Sequence, residues 1–481
     1  MKTKFFLFLF VFTTCTLFAQ NDTRLIFKKL KWCKLTGIQD SVLCGTCPVV
    51  ENRETNKGRI IYLNIMVVPA IHTDSLLDPI FDIDGGPGAA DTKNVFFYAD
   101  HSNPYRQYHD IVLTDVRGTG KSNALYCSSL QDKKTLSEQL EDMYPVAEVK
   151  ACYNELTKHA DLTQYTTTNV VKDFEAVRKW LGYKKIEIFS LSYGTRVALV
   201  YMKMFPSSID GCILMSPIAT YGKMPLYHAR YAQDALNKLF DDCNNNTACK
   251  EAFPNLQTEF AALMQKGMQQ PFKADFNDST GKTEQVAISW HVFETKMRSL
   301  MYTPAGDAGI PYLIHQSYLG NFYPFLSLYE RNDISPILAE GDYLCVTCAE
   351  DVPFIDDSKI DSLTKGTFTG TYRIDQQKAA CANWTRGTVP KDFFDTIHSE
   401  VPVLIFSGGM DPVTPTSQAK EIASHLPNST LVYIPAMSHL FDGLSHTECF
   451  DKIALSFYAH PASKLDTACV NDMEPPPYRL N

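Results

Sequence analysis

Lys185-Ile186-Glu187-Ile188-Phe189-Ser190-Leu191-Ser192-Tyr193-Gly194 begins as an apolar strand and breaks at a serine set among small residues. A helix opens directly behind it, as Tyr193-Gly194-Thr195-Arg196-Val197-Ala198. This strand–turn–helix context is what a nucleophile elbow demands. The sharp turn leaves Ser192 strained and exposed at the carboxyl edge of a sheet, with the helix dipole facing any oxyanion that develops. Small neighbours are required because strand and helix approach closely. The usual pattern is G-x-S-x-G; here Ser190 takes the place of the first glycine and is small enough to fit.

On either side the same alternation continues. Short apolar runs predict strands at Ile60–Val68, Ile80–Ile83, Asp110–Thr114, Lys185–Phe189, Gly211–Met215, Val403–Phe406 and Thr430–Ile434. Amphipathic stretches between them predict helices at Asn169–Leu181, Tyr193–Met204, Thr416–Leu426 and Cys449–Tyr458. Near-continuous apolar strands such as Ile111-Val112-Leu113 suit a mainly parallel sheet covered on both faces, so the class is a doubly wound α/β sheet. The rhythm breaks over residues 217–388, where helices are predicted at His228–Phe240, Leu256–Met268, Ser289–Met301 and Pro311–Leu319. That stretch reads as a helical cap inserted before the last core strands and folded over one edge of the sheet. The core is then residues 20–216 and 389–470, and residues 471–481, with Pro475-Pro476-Pro477, form an extended tail.

The chain has 481 residues, 45% hydrophobic and 21% charged, which is ordinary globular composition and excludes a disordered or coiled-coil architecture. Its net charge of -9, with no long basic run, offers no footprint for nucleic acid. Residues 1–19 join Lys2 and Lys4 to a short apolar run from Phe5 to Phe12 and end at Ala19, the make-up of a secretory signal peptide. The run is too short for a membrane anchor, so no stable membrane insertion is expected and the mature chain is exported, to the periplasm or beyond the cell.

Fourteen cysteines agree with export. At short separations stand Cys33 with Cys44 or Cys47, Cys127 with Cys152, Cys243 with Cys249, Cys345 with Cys348, and Cys449 with Cys469. Two C-x-x-C pairs could in principle bind zinc, but they lie far apart in the chain, and neither a metal nor a cofactor is expected. Removing Cys15 with the signal leaves an odd thiol, for which Cys212, in an apolar strand, is the candidate.

A serine nucleophile needs a base, and the base an orienting acid, and behind an elbow the chain order is Ser, acid, His. Strand Val403–Phe406 runs into Ser407-Gly408-Gly409-Met410-Asp411, which puts Asp411 in a loop at a strand's carboxyl end. The next strand leads into Pro435-Ala436-Met437-Ser438-His439, where the base belongs. His425 falls in a helix and His446 at a helix start, so both fit worse. Upstream, Asp84-Gly85-Gly86-Pro87-Gly88 follows a strand, and the Gly86 N–H together with that of Tyr193 would form an oxyanion hole. Asp115-Val116-Arg117-Gly118-Thr119-Gly120-Lys121-Ser122 resembles a P-loop only at its end, because a Walker A motif needs glycine where Asp115 stands. It is a structured loop flanking the site, with Arg117 structural.

Taken together, these residues resemble the tripeptidyl aminopeptidase-like and proline iminopeptidase-like serine peptidases of the α/β-hydrolase superfamily. The likeness runs through Cys44-Gly45-Thr46, Pro48 to Asn52, Gly85 to Gly88, Asp115 to Ser122 and Tyr165 to Thr195. It continues in Cys249 to Leu256, Cys348-Ala349-Glu350-Asp351, Cys381 with Trp384, and Val401 through His439 to Cys449. The resemblance implies an α/β-hydrolase fold, Ser192 as nucleophile, His439 as general base, Asp411 as its partner, and an acyl-enzyme made with the N-terminal fragment of a peptide. It also implies pairing of Cys127 with Cys152, Cys243 with Cys249 and Cys348 with Cys381. Asp84 stands where proline iminopeptidases usually carry His, which weighs against prolyl specificity; the other departure is Ser190. Recognition of a free amino terminus calls for carboxylates under the cap, and Glu350 and Asp351 are the candidates. The partners are then peptides with a free N-terminus. The rival readings are an esterase on the same machinery and a non-catalytic binding protein, which would lack a triad member.

Overall fold

The computed structural model describes residues 24–277, 281, 283–330 and 338–481. The signal-peptide expectation, residues 1–19, lies outside them. Nine strands form one sheet in the order β1-β2-β3-β5-β4-β6-β7-β10-β11. They are β1 Lys31–Cys33, β2 Val42–Asn52, β3 Lys57–Val68, β4 Ile80–Ile83, β5 Ile111–Thr114, β6 Ile186–Leu191, β7 Ile209–Met215, β10 Val403–Gly408 and β11 Ser429–Ile434. From β5 to β11 every neighbouring pair is parallel, whereas β1, β2 and β3 pair antiparallel and β3 runs antiparallel to β5.

The central parallel strands are buried on both faces, β4 and β5 along their whole length, while the edge strand β11 buries only Val432 and Ile434. Helices Thr167–Leu181, Tyr193–Met204 and Thr416–Ser424 cover one face through Phe174, Val197 and Ile422. Helix Glu448–Ala459 covers the other through Phe450, Ile453 and Phe457.

β7 and β10 are neighbours although the whole cap lies between them in sequence. The insertion therefore leaves and re-enters the sheet without disturbing its order. It meets the carboxyl edge of the strands: the Ala339 N–H donates to the Gly88 carbonyl at 2.9 Å, Leu440 N–H to that of Tyr302 at 2.8 Å, and Ala305 N–H to that of Asp442 at 3.1 Å. The cap has its own apolar core, in which Leu236, Phe260, Trp290 and Phe293 take part.

Three expectations need correction. The cap is not wholly helical, since β8 Phe272–Asn277 and β9 Thr283–Ile288 form an antiparallel hairpin, with Phe272, Phe276, Val286 and Ile288 turned inward at period two. The helix placed at Pro311–Leu319 starts at Pro304, where the Thr303 hydroxyl accepts the Gly306 N–H at 3.0 Å and proline occupies the first turn. Among the described residues three thiols are free and buried, Cys47 and Cys345 as well as Cys212. Disulfides join Cys33 to Cys44, Cys127 to Cys152, Cys243 to Cys249, Cys348 to Cys381 and Cys449 to Cys469, so Cys345 and Cys348 do not pair with each other. The tail is irregular but docked: Arg479 N–H donates to the Ala308 carbonyl at 2.9 Å.

Candidate active site

Ser192 sits between β6 and the helix Tyr193–Met204 at φ 53° and ψ -121°, a left-sided conformation costly for a residue with a Cβ. The turn is held from below. Ser192 N–H donates to the Met215 carbonyl at 3.0 Å, and its own carbonyl accepts the Thr195 N–H at 2.9 Å. Gly194 has to be glycine here, because a Cβ would lie 2.2 Å from the Ile83 carbonyl oxygen. Ser190 is tolerated because its hydroxyl turns toward the next strand and donates to the Ile213 carbonyl at 2.7 Å.

The loops after β10 and β11 bring two further side chains to this point. His439 Nε2 lies 2.9 Å from Ser192 Oγ, and His439 Nδ1 lies 2.9 Å from Asp411 Oδ2. Asp411 and His439 are buried, at 4% and 3% exposure, so neither contact competes with bulk water. Burial alone would push the Asp411 carboxyl up, but the His439 imidazole and the Thr414 donors outweigh it and hold the group below its ordinary value. Its Oδ1 accepts the N–H groups of Val413 and Thr414 at 2.7 and 2.9 Å, and its Oδ2 also accepts the Thr414 hydroxyl at 2.7 Å. The His439 backbone is anchored by the Ser216 hydroxyl, which donates to its carbonyl at 2.7 Å, while Tyr302 from the cap stands edge-on to the imidazole at 5.1 Å.

The Gly85–Gly86 loop passes directly over the serine; a Cβ on Gly85 would lie 3.5 Å from Ser192 Oγ. Among the described residues no hydrogen bond engages the N–H of Gly86 or of Tyr193. The Asp115–Ser122 loop is a scaffold. Asp115 Oδ2 accepts Lys121 N–H and Asn64 Nδ2 at 2.9 Å each, and Arg117 makes a two-pronged ion pair with Asp173 at 2.7 and 2.8 Å.

Ser192 and His439 open onto a cavity of about 1060 Å³ roofed by the cap. Glu350 and Asp351 are not among its lining residues. Both are buried between cap and core, where Glu350 accepts the Thr167 N–H and hydroxyl at 2.7 and 2.6 Å and Asp351 takes Arg196 in two bonds of 3.0 Å. They stand at the end of helix Glu340–Glu350 and clamp it to helices Thr167–Leu181 and Tyr193–Met204, so an acidic pair near the site is spent on docking the cap. Six carboxyl groups line the cavity, those of Asp82, Asp84, Glu294, Glu340, Asp442 and Asp451, and the two that the cap contributes, Glu294 and Glu340, were missed in the sequence. Glu294 carried a signal: with Arg298 it falls on the buried stripe of helix Trp290–Leu300, beside Phe293 and Met297.

Cys44 and Cys348 are bound in separate disulfides, which leaves the two C-x-x-C pairs unable to act as a four-thiolate set. Among the described residues no helix is long and apolar enough to cross a membrane.

A parallel sheet with a strand–serine–helix elbow, an acid and a histidine on the following loops, and a cap inserted between two adjacent strands defines the class. The family model of the alpha/beta hydrolase fold matches residues 83–441, and the chain belongs to this family of hydrolases. Among curated proteins it is similar to the serine protease Hip1 of Mycobacterium tuberculosis, 24% identical over 452 residues that span 86% of this chain and 83% of that protein. Shorter similarities are to the tripeptidyl aminopeptidase of Streptomyces lividans, 27% identical over 168 residues (31% of this chain, 30% of that one), and to the proline iminopeptidase of Xylella fastidiosa, 26% identical over 141 residues (28% and 31%).

Proposed function

We propose that this chain is an exported serine peptidase that removes short fragments from the amino terminus of peptides through an acyl-enzyme. The observation that carries this reading is the continuous hydrogen-bonded path from Ser192 Oγ through the His439 ring to Asp411. Ser192 attacks the scissile carbonyl while His439 Nε2 takes the hydroxyl proton, and Asp411 holds the ring with Nδ1 protonated and balances the imidazolium that forms. The N–H groups of Gly86 and Tyr193 receive the oxyanion. His439 then protonates the leaving amine and activates the water that releases the acyl fragment.

Four features support the finer parts. The cap closes the cavity on one side, which suits a chain end rather than the middle of a long polypeptide. Glu294, buried, and Glu340, half-buried, stand on its wall as carboxyl groups that an arriving α-ammonium would ionise, in place of Glu350 and Asp351. Similarity to a tripeptidyl aminopeptidase and a proline iminopeptidase agrees with this polarity of attack. Five disulfides suit an oxidising compartment and so support export.

The test compares kcat/KM on matched peptides with a free and an acetylated amino terminus. A preference of about 100-fold or more for the free amine is expected, the size of a lost charge-assisted contact in a buried site. Equal rates, or faster turnover of simple esters with no amine, would make it an esterase of the same fold.

A further inference from the structure

Five arginines are buried among the described residues, and four of them meet a carboxylate: Arg106 with Asp40, Arg117 with Asp173, Arg178 with Glu175 and Arg196 with Asp351. Arg298, at 6% exposure, is the exception among them, and it lines the cavity in front of Ser192. Its Nε and Nη2 groups are buried without an acceptor, and Nη1 makes one long contact, 3.4 Å, to the Tyr302 hydroxyl. Arg373 lines the same cavity. It donates to the Tyr343 hydroxyl at 2.9 Å, its Nε also lacks an acceptor, and among the described residues it makes no ion pair.

The surroundings do not supply the missing negative charge. Glu294 shares its carboxyl with His291 at 3.2 Å, and burial pushes it up to about 7. Glu340, which feels Arg373 through space, takes the Tyr144 hydroxyl at 3.0 Å. His228, beside both guanidiniums, is driven toward its neutral form by burial and then by their charge. A buried guanidinium with no counter-charge is costly even after the surroundings relax. Its Nε–Nη2 edge is the side that grips a carboxylate in two parallel bonds. The group also stands close to the chemistry: its Cζ is 5.5 Å from the Tyr302 ring, and that ring is 5.1 Å from the His439 ring.

We propose that Arg298 and Arg373 form a carboxylate-binding subsite, which makes substrates that place a carboxylate beneath the cap the preferred ones. This rests on the peptidase reading and names its substrate class. The carboxylate is either an acidic side chain in the released fragment or the terminal carboxylate of a short peptide. With Glu294 and Glu340 taking the amine, the cavity then suits a peptide that carries both an ammonium and a carboxylate.

The test uses the full-length protein with two matched peptide sets. One varies Glu against Gln in the first three residues of amidated peptides; the other varies free acid against amide in neutral tripeptides and tetrapeptides. Wild type should favour the acidic member of one set by about 10–100-fold in kcat/KM, the range of a hydrogen bond to a charged group. The set that responds identifies the source of the carboxylate. Arg298→Met should bring that ratio close to one and Arg298→Lys should restore part of it, with Arg298→Met melting no lower than wild type because an unpaired charge has been removed. Binding of the same peptides to Ser192→Ala, read by calorimetry, separates subsite from chemistry. Acid-dependent binding without turnover in wild type would fail the peptidase reading alone. Turnover with equal rates in both sets, or a preference that survives Arg298→Met, would overturn the subsite.

Discussion

Ser192 carries its backbone strain at the point where its hydroxyl meets an imidazole, and the side chains behind that imidazole have partners that fix their direction. Thr414 and Val413 satisfy Asp411 so fully that its charge is held in place under burial, and its one remaining task is the His439 Nδ1. Replacing Asp411 with Asn keeps the shape but presents either a donor or a weaker acceptor to Nδ1, which favours the wrong tautomer. We expect kcat for Asp411→Asn to fall by about 10⁴, with KM little changed, in steady-state assays on the best peptide. A loss below tenfold would mean that Asp411 does not orient the base.

At the scale of elements, β6 delivers the serine and also carries an anomaly, Glu187, buried at 3% exposure with Oε2 unpartnered. Burial, aided by Asp210 and Asp78, pushes its carboxyl from 4.5 to about 9, so the fold favours the neutral acid. Stability from this group is whole below pH 4.5 and is lost as the pH rises toward 9. Glu187→Gln should therefore match wild type in melting near pH 5 and exceed it by on the order of 2 kcal/mol at pH 8. A difference that does not change with pH would contradict the assignment. The same strands show what could be read from the sequence. β4, and the helix behind Ser192, coincide with their predicted bounds, because continuous apolar runs and the elbow's small residues leave few alternatives. β2 escaped because Cys44, Gly45, Cys47 and Pro48 mask a strand, and Gly45 is there to let Leu30 pack within 2.7 Å of where a Cβ would stand. The cap hairpin escaped because its period-two pattern is only six residues long on each side and sits among helices. Arg298 and Glu294 lay on an apolar helix stripe, legible as misplaced charges, but their meeting with Arg373 and Glu340 depends on cap packing that no local pattern encodes.

For the whole molecule, the arrangement is a sheet that brings Ser192, Asp411 and His439 together and a cap that roofs the cavity in front of them. Cap and sheet share apolar packing, with Val346 in the sheet core and Tyr343 and Leu344 in a cluster with Leu125 and Tyr165, and Arg196 with Asp351 and Thr167 with Glu350 bind the cap to the very helices that flank Ser192. Cys348–Cys381 ties the cap helix Glu340–Glu350 to the helix Tyr372–Cys381, so Glu340 and Arg373 stand on a cross-linked pair. The cap is thereby a wall of the site as much as a cover. That Ser192 is the nucleophile activated by His439 is tested most directly by labelling the folded protein with a fluorophosphonate and locating the adduct by peptide mass spectrometry. The adduct should sit on Ser192 in wild type and vanish in Ser192→Ala, and its rate of formation should fall by about 10³-fold or more in His439→Gln. An adduct on another residue, or labelling that is as fast without the imidazole, would contradict it.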